Sequence, residues 1–352
     1  MPRRTPHVNL LLVFGCLFAL MLPTVATAQP FGSWTLWDRP QTGYFQIPHD
    51  SDLNPTAQIT IEGWVDLEDA GTGGCSNIVG KGFTTAWWVG ICGDQLRSYL
   101  RGPAGTSVRT AGDIGQTGWH HFAVTYDGSE RCHYVDGREA ECWAHTGSLA
   151  TNSQPVRIGS DVDFNNATPE GAINEIRLWN VARTVQQIRD TINEPLDSPE
   201  PGLVAVWSFG SGVEALGEHP GSLVGNVPAL TFPVTALPCS NTATTLCLHD
   251  RFNVTIRWET ASSSGVGSLT PLVSTQSGVF WFFNPTNWEV LVKVLNGCGV
   301  SGNWWVFTAA TTNVFYRMEV FDQEAGYNKV YFNYAGPPAP AVTDTSALPT
   351  CP

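Results

Sequence analysis

Residues 118–128 read Gly-Trp-His-His-Phe-Ala-Val-Thr-Tyr-Asp-Gly, and residues 134–138 follow closely as Tyr-Val-Asp-Gly-Arg. In the first segment Phe122, Val124 and Tyr126 alternate with smaller or polar residues, which is the period of a strand with one buried face. Each segment runs into Asp-Gly, a dipeptide that favours tight hairpin turns. The two segments therefore predict short consecutive strands of an all-β domain, each closed by an Asp-Gly turn.

The first 28 residues have the features of a secretion signal. Arg3 and Arg4 precede an apolar stretch at residues 8–22, and Ala-Thr-Ala at 26–28 supplies a small-residue cleavage site before Gln29. We therefore expect a mature chain that is secreted and extracellular or at the cell surface, with the periplasm as an alternative. No other apolar stretch approaches the roughly 18 residues needed to span a bilayer, which predicts no membrane insertion.

The expected mature chain is strongly acidic. The whole sequence has a formal net charge of −13, from 18 basic and 31 acidic residues, and loss of the two leader arginines makes it −15. A negative net charge disfavours polyanionic partners such as nucleic acid. It also leaves carboxylates that can bind a divalent cation.

Eight cysteines remain after the leader, four in each half, and an even number in a secreted chain favours disulfides. Cys132 and Cys142 flank the Asp-Gly turn at 136–137, so a hairpin would bring them together, and Cys75 with Cys92 is the remaining pair of that half. Zinc binding is the alternative, but no Cys-x-x-Cys or close Cys/His cluster supports it. In the second half the sequence does not choose among the three possible patterns for Cys239, Cys247, Cys298 and Cys351.

Residues 31–230 are expected to form the first module, because several of their segments resemble the laminin-G-like jelly roll of the concanavalin A-like lectin/glucanase superfamily. The resemblance implies a jelly-roll β-sandwich over more than half of the mature chain. Asn174 is a departure, since the family usually has Asp at that position. The segments that carry the resemblance are 44–48, 59–65, 119–121, 135–137, 171–180 and 203–209.

Residues 239–352 are expected to form a second, smaller β-sandwich, after a Pro-containing linker at 231–238. Apolar residues alternate along 252–258, 288–294 and 314–320, and we expect six or seven strands. This half resembles a cysteine-flanked β module found at the C-terminus of bacterial secreted proteins, a resemblance that implies no function. Its strand pattern differs from that of the first module, so we find no internal repeat.

The sharpest candidate site is the loop Ile-Gly-Ser-Asp-Val-Asp at 158–163. Carboxylates two positions apart can converge on one ion, and Ca²⁺ prefers several oxygen ligands. The loop also resembles the pentraxin branch of the fold, in which acidic residues directly after an Ile-Gly strand end bind calcium. The alternative is a solvated turn in which Asp and Asn side chains cap backbone groups. On the pentraxin comparison the expected ligands are Asp161, Val162 through its carbonyl, Asp163, Asn77 and Glu170.

Two Trp-Trp pairs, Trp87 with Trp88 and the pair at 304–305, occur in segments that resemble strands. Because neighbouring strand residues point to opposite faces, one of each pair should fill a core and leave the other as a stacking platform for a sugar ring or a partner. The same alternation separates the side chains of His120 and His121. The two imidazoles are therefore not expected to share a metal ion.

No catalytic motif stands out in the sequence. Glycosidases of the same superfamily place paired carboxylates on one strand, because hydrolysis needs an acid and a nucleophile or base about 5 to 10 Å apart. The acids that most resemble such a pair are Glu62, Asp66 and Glu68, and their spacing differs from that of the glycosidases. The motifs Gly-x-Ser-x-Gly and His-Glu-x-x-His do not occur in the sequence. We therefore predict that the chain is not an enzyme.

These observations favour a secreted, non-catalytic binding protein whose jelly-roll module recognises a glycan or an extracellular surface protein, with assistance from Ca²⁺. The main alternative is a structural spacer or adhesion component of an extracellular assembly, and a glycoside hydrolase is a third. Fold by itself does not separate these functions. An exposed Trp or Tyr beside the Asp161 loop would favour recognition, whereas a flat polar surface there would favour the spacer.

Overall fold

The structure is a computed structural model of the 352-residue chain. The predicted secretion signal at 1–28 and the predicted linker at 231–238 lie outside the described residues. Within the described segments, no helix is both long enough and apolar enough to cross a membrane. The structure describes residues 34–37, 43–69, 74–114, 118–163, 170–194, 196–209, 213–214, 216–225, 229–230 and 239–352.

Strands dominate the described part of the first module. They are joined by one short helix, α1 (Val185–Thr191), which begins at a capping box formed by Thr184 and Gln187. The strands are β1 (Trp34–Trp37), β2 (Tyr44–Ile47), β3 (Ile59–Asp69), β4 (Cys75–Gly80), β5 (Trp87–Cys92), β6 (Gln95–Gly102), β7 (Gly105–Asp113), β8 (His120–Tyr126), β9 (Glu130–Val135), β10 (Arg138–Ala144), β11 (Val156–Ile158), β12 (Glu170–Trp179), β13 (Leu203–Ser208), β14 (Val213–Glu214), β15 (Ser222–Val224) and β16 (Ala229–Leu230).

The second module also consists mainly of strands, with a single-turn helix, α2 (Cys298–Ser301). Its strands are β17 (Leu246–Leu248), β18 (Phe252–Glu259), β19 (Ser264–Val266), β20 (Ser268–Val273), β21 (Ser277–Trp281), β22 (Val290–Gly297), β23 (Asn303–Ala310), β24 (Phe315–Asp322), β25 (Tyr327–Asn333) and β26 (Val342–Leu348).

The first module is a sandwich of two antiparallel sheets. The nine-stranded sheet runs β10-β9-β8-β3-β12-β1-β16, with β13 also paired to β12 and β14 paired to β13. The seven-stranded sheet runs β15-β2-β11-β4-β5-β6-β7. Buried apolar side chains fill the space between the sheets, including Trp87 and Trp207. The predicted all-β, jelly-roll fold is confirmed.

Both Asp-Gly turns predicted from the sequence are present. The carboxylate of Asp127 accepts the backbone N–H groups of Ser129 and Glu130, which closes the turn between β8 and β9. β9 and β10 are joined by Asp136 and Gly137, whose φ angles of 52° and 66° are both positive, as a type I′ turn requires. The three strands β8, β9 and β10 therefore form one edge of the nine-stranded sheet.

The second module contains two further antiparallel sheets. One runs β17-β18-β24-β25, with β19 beside β18, and the other runs β20-β21-β22-β23-β26. A separate core that includes Phe252, Phe280 and Trp304 lies within this module. Residues 239–352 contain ten strands, so the expectation of six or seven is wrong. Strands such as Leu246–Leu248 and Ser264–Val266 span three residues, which is too few to show an alternating pattern.

Four disulfides link residues within one module or the other. Cys75–Cys92 and Cys132–Cys142 join neighbouring strands of the first module, which confirms both predicted pairs. Cys239–Cys247 and Cys298–Cys351 form the pattern that the sequence left open in the second module. The last bond closes the longest loop, 53 residues, and loop-closure entropy predicts that it restricts the unfolded chain most.

The second module packs on the outer face of the nine-stranded sheet. Trp64 of β3 stacks on Phe332 of β25, with ring centroids 6.1 Å apart. Burial of large aromatic side chains is the main source of stability in such contacts. The apolar cluster shared by the two modules consists of Trp64, Trp119, Ala172, Ile192, Val330 and Phe332.

Polar contacts surround this shared cluster. The backbone N–H of Trp119 donates to Glu319 at 3.2 Å, and its carbonyl accepts from Arg317. Arg138 and Glu259 form a bidentate ion pair with both N–O distances at 2.7 Å. Both side chains of that pair are more than a third exposed, so it contributes little net stability and serves mainly to fix orientation.

Asp66 lies beside this interface and accepts the backbone N–H of Gly118 at 3.2 Å. Burial, together with the nearby carboxylate of Glu319, raises the pKa of Asp66 to about 6. A carboxyl group with a raised folded-state pKa binds its proton more tightly in the folded chain than in the unfolded chain. The native state should therefore gain stability from this group as the pH falls from about 7 toward 4.

We predict that Asp66→Asn raises the free energy of unfolding at about pH 8, because the amide still accepts from Gly118 and carries no buried charge. The gain should shrink below about pH 6 and vanish near pH 4, where the wild-type acid is protonated. Thermal unfolding of both proteins across this range measures the difference. A difference that did not change with pH would contradict the prediction.

Candidate functional site

The candidate site lies on the outer face of the seven-stranded sheet, opposite the core. Strand register places five residues in one row across neighbouring strands of this face. Their neighbours along each strand, such as Val89 on β5, point into the core. The row consists of Gln46, Arg157, Gly80, Trp88 and Tyr99.

Trp88 lies flat against this outer face because two glycines leave room for it. A Cβ atom at Gly90 would lie 2.3 Å from the six-membered part of the indole, and one at Gly80 would lie 2.7 Å from Cδ1. The indole N–H donates to Oδ1 of Asn77 at 2.7 Å. The ring is 1% exposed, so it forms the base of the site.

Trp87 points into the core, where its indole N–H donates to the carbonyl of Leu53. Since Trp87 and Trp88 are both 1% exposed, neither presents a free face, and the expected stacking platform does not lie on this pair. In the second pair Trp304 is buried in the core and Trp305 is half-buried. The alternation was predicted correctly, but the outward ring of the first pair is covered by other aromatic side chains.

Phe83 and Tyr99 cover Trp88, and we call these three residues the aromatic face. The ring centroids of Phe83 and Tyr99 are 3.9 Å apart, and those of Phe83 and Trp88 are 5.6 Å apart. Phe83 and Tyr99 are half-buried, so part of each ring contacts solvent. Sequence reasoning missed both residues, although alternation of Tyr99 with the core residues Leu96 and Leu100 was a usable signal for its outward position.

Asp161 and Asp163 lie beside the aromatic face and hold the loop at 82–85. Oδ1 of Asp161 accepts the backbone N–H of Phe83 at 3.2 Å and that of Asp163 at 2.9 Å. Oδ2 of Asp163 accepts both the backbone N–H and the hydroxyl of Thr84. The two carboxylates therefore fix the segment that carries Phe83.

The remaining carboxylate oxygen of Asp161 is buried. Its Oδ2 has no hydrogen-bond partner within the protein, and a Cβ atom at Gly80 would lie 2.9 Å from it. Burial raises the pKa of Asp161, while the backbone N–H groups of Asp163 and Phe83 oppose that rise. Asp163 is exposed.

The calcium ligands expected from the sequence are only partly brought together. Asn77 is engaged by Trp88, and the side chain of Glu170 lies outside the described residues. Among the described side chains, the only His, Cys, Asp and Glu cluster that could hold a metal is Glu130 with Cys132 and Cys142, whose sulfurs form a disulfide. Among the described side chains the loop offers the carboxylates of Asp161 and Asp163, and their hydrogen bonds to backbone N–H groups fit the capped-turn alternative.

The two adjacent histidines have different surroundings, as strand alternation predicts. Nδ1 of His120 lies 2.8 Å from Oδ2 of Asp136. His121 is fully buried and packs edge-on against Trp64, with ring centroids 5.3 Å apart. Burial lowers the pKa of His121 to about 4, so the ring is neutral at physiological pH.

Two of the three acids considered for hydrolysis, Glu62 and Asp66, have described side chains, and these lie in different surroundings. Oε1 of Glu62 accepts from Arg183 at 2.7 Å and from the indole of Trp179 at 2.9 Å in a fully buried position. Asp66 lies at the interface between modules, and the side chain of Glu68 lies outside the described residues. Glu62 therefore has a structural role as the buried ion-pair partner of Arg183.

Comparison with known families matches residues 39–189 to a laminin-G-type model of the concanavalin A-like lectin/glucanases superfamily. This match confirms the resemblance that the sequence showed for the first module. No curated protein matches the chain.

Several solved structures are distantly similar. A proposed carbohydrate-binding protein from Bacteroides ovatus is 18% identical, with a TM-score of 0.48, over 58% of this chain and 60% of that one, less than two thirds of its length. A heptameric SAP-like pentraxin from Limulus polyphemus is 11% identical, with a TM-score of 0.42, over 57% of this chain and 95% of that one. The CBM40 of Ruminococcus gnavus IT-sialidase, bound to α2,3 sialyllactose, is 12% identical, with a TM-score of 0.36, over 45% of this chain and 95% of that one.

We predict that Asp161→Ala destabilises the first module by about 1–3 kcal/mol in the presence of EDTA, because two backbone N–H groups lose their acceptor. Asp163→Ala is the matched control and should cost less, since its carboxylate is exposed to water. Chemical denaturation of the three proteins measures these differences. Equal stability of wild type and Asp161→Ala would show that the carboxylate does not hold the loop.

Calcium binding at this loop stays a prediction of the sequence. With two carboxylates and water completing the shell, we expect a weak dissociation constant, on the order of 10⁻⁴ to 10⁻³ M. Because an ion that binds only the folded state stabilises it by mass action, bound Ca²⁺ should raise the melting temperature of the first module. Titration calorimetry that gave no heat with millimolar Ca²⁺ would rule the site out.

Proposed function

We propose that this chain is a secreted, non-catalytic protein that binds glycans through the aromatic face of its first module. The observation that carries the proposal is the pair of half-exposed rings, Phe83 and Tyr99, beside the Asp161 loop. Aromatic rings with one accessible face stack on the apolar side of a sugar ring. A flat polar surface at this position would have favoured the spacer instead.

Polar groups at the border of the aromatic face suit a ligand rich in hydroxyl groups. Arg97 on β6 is half-buried, and its guanidinium donates to Thr110 at 2.8 Å. Arg101, further along the same strand, is exposed and lies close to Thr84 and Thr106. The exposed carboxylate of Asp163 accepts the hydroxyl of Thr84 at 3.1 Å. Donors and acceptors thus surround an apolar centre, the usual composition of a small-molecule site.

Other features agree with this proposal. The first module matches a superfamily whose description includes lectins. Four disulfides fit the proposal of a secreted chain, because disulfides persist in oxidising environments. Glu62, the innermost acid of the motif considered for hydrolysis, is held by Arg183 and Trp179, which favours a non-catalytic role.

A rigid spacer is the second candidate function. The observation that favours it is the shared cluster between modules, in which Trp64 stacks on Phe332 and restricts relative movement. A spacer requires no accessible aromatic face, whereas a binding protein does. The two functions are therefore separated by a variant that changes the face and leaves the interface intact.

We predict that Tyr99→Ala weakens glycan binding about tenfold or more, which corresponds to about 1.4 kcal/mol and matches the loss of one aromatic contact. Trp288→Ala is the matched control, since this tryptophan of the second module is 52% exposed and lies outside the aromatic face. Glycan-array screening of wild type identifies a ligand, and calorimetry then compares the variants with and without EDTA. Loss of affinity in EDTA would indicate that the ion assists binding.

Failure of wild type to bind any glycan on the array would favour the spacer. Equal losses in Tyr99→Ala and Trp288→Ala would place the binding surface elsewhere. Circular dichroism of both variants should match that of wild type, because neither residue belongs to a buried core cluster.

A further inference from the structure

A group of arginine and histidine side chains lies at one edge of the first module, between its two sheets. The edge strands β7 and β10 lie against each other there, and β9 also contacts β7. Cys132 and Tyr134 of β9 pack beneath α1, so their neighbour Arg131 points to the opposite side, into the gap between the sheets. The group consists of Arg109 on β7, Arg131 on β9 and His145 directly after β10, and we call it the basic edge.

Arg131 is a fully buried charge without a carboxylate partner among the described residues. Two of its N–H groups donate to Ser107 of β7, one to the carbonyl and one to the hydroxyl, both at 3.1 Å. These bonds attach Arg131 to the edge strand but bring no negative charge. An isolated buried charge is very costly, so the folded module gains if an anion compensates it. The arginine ion pairs in the described part of the chain lie elsewhere, at Arg138, Arg177, Arg183, Arg251 and Arg317.

Arg109 adds a second guanidinium to the same place. Burial, and then the nearby charge of Arg109, lower the pKa of Arg131 to about 9, and no described carboxylate opposes them. Arg109 donates to the carbonyl of Val108 at 2.9 Å, and its Cζ lies 5.9 Å from the ring centroid of Trp143. Neither contact is with an acid. Repulsion between the two guanidinium groups therefore adds to the cost of burying Arg131.

Three buried nitrogen atoms of the basic edge have no hydrogen-bond partner within the described part of the protein. They are Nε of Arg109, Nε of Arg131 and Nε2 of His145. Burial, followed by the charges of Arg131 and Arg109, lowers the pKa of His145, so this ring is neutral at physiological pH. The two arginine Nε groups can only donate. Because buried polar groups are nearly always paired in folded proteins, two such donors on neighbouring charged groups indicate an acceptor from outside the chain.

The basic edge is accessible from solvent on one side. Arg109, Trp143 and His145 are half-buried, whereas Arg131 is fully buried and lies deepest. A ligand therefore enters past Arg109 and meets Arg131 last. Because the two guanidinium groups come from strands of opposite sheets, an ion with oxygens on all sides can accept from both. A tetrahedral oxyanion has this shape, whereas a carboxylate carries both oxygens on one side.

We propose that the basic edge binds a tetrahedral oxyanion of the sulfate type, whose oxygens accept from the guanidinium groups of Arg109 and Arg131. Charge-assisted hydrogen bonds of this kind are strong, and the anion compensates both charges. The anion is either free in solution or an ester group on a sugar, since both present the same oxygens. The site is independent of the aromatic face, because it recognises a charge and requires no stacking on a sugar ring.

Titration calorimetry of the full chain with sodium sulfate tests the proposal, at an ionic strength kept constant with sodium chloride. We expect saturable binding at millimolar concentration and a melting temperature that rises with sulfate, because an anion that binds only the folded state stabilises it by mass action. The chloride series controls for the general effect of salt on stability.

A second titration identifies the source of the anion. Galactose sulfate, with galactose as its uncharged counterpart, is titrated into Tyr99→Ala, so that the aromatic face does not contribute. Tighter binding of galactose sulfate than of inorganic sulfate shows that the anion is an ester group on a sugar. Equal or weaker binding shows that it is the free ion, and either result supports the site.

Arg109→Gln should weaken sulfate binding about tenfold or more, because a charge-assisted hydrogen bond is lost. This variant should fold, since Arg109 is half-buried and donates to the carbonyl of its own neighbour, Val108. Lys293→Gln is the matched control, because it removes one positive charge at an exposed position of the second module and should leave binding unchanged. Arg131→Gln should abolish binding, and Arg109→Gln decides the question if Arg131→Gln fails to fold.

Tyr99→Ala should bind inorganic sulfate as tightly as wild type does, which separates the basic edge from the aromatic face. The proposal is overturned if neither inorganic sulfate nor galactose sulfate binds saturably at millimolar concentration. It is also overturned if Arg109→Gln binds sulfate as tightly as wild type, or if Lys293→Gln weakens binding as much as Arg109→Gln does.

Discussion

Both faces of the nine-stranded sheet are covered, and this constraint governs the rest of the molecule. The inner face packs in the main core, while the outer face lies under α1, through Ile188, and under the second module, through Trp64 and Phe332. Charged side chains that lie beneath these covering elements are consequently buried and must be paired, because an isolated buried charge is very costly. Arg177 meets this requirement by contacting Glu175 at 2.6 Å and Glu62 at 3.5 Å.

Because of this double burial, the ligand recognition that we propose lies on another surface. The outer face of the seven-stranded sheet is partly exposed at Tyr99, and residues of both modules, Arg257 among them, line a cleft of about 740 Å³. Each surface places an aromatic side chain beside guanidinium and hydroxyl groups. Tight docking of the modules is also what creates the cleft, since its walls belong to both. A chain with freely moving modules would retain the aromatic face and lose the cleft.

The sequence predicted the direction of strand side chains better than it predicted their contacts. Alternation placed one residue of the Trp87–Trp88 pair outward, yet Phe83, which comes from a loop, covers that ring. The sequence predicted calcium ligands at Asp161 and Asp163, and in the structure these carboxylates accept the backbone N–H groups of Phe83 and Thr84. Neither outcome could be predicted, because a side chain's partners depend on which distant loop lies above it.

By itself the sequence determined features that depend on residues close together in the chain. The Asp136-Gly137 turn is one, because few residue pairs tolerate two positive φ angles, and the adjacent Cys132–Cys142 bond follows from the same hairpin. Only the tertiary structure decided that the modules dock and that Arg257 faces Arg317. The physical reason is that strand pairing and sheet packing join segments far apart in sequence, and local alternation specifies which face is apolar without specifying what covers it.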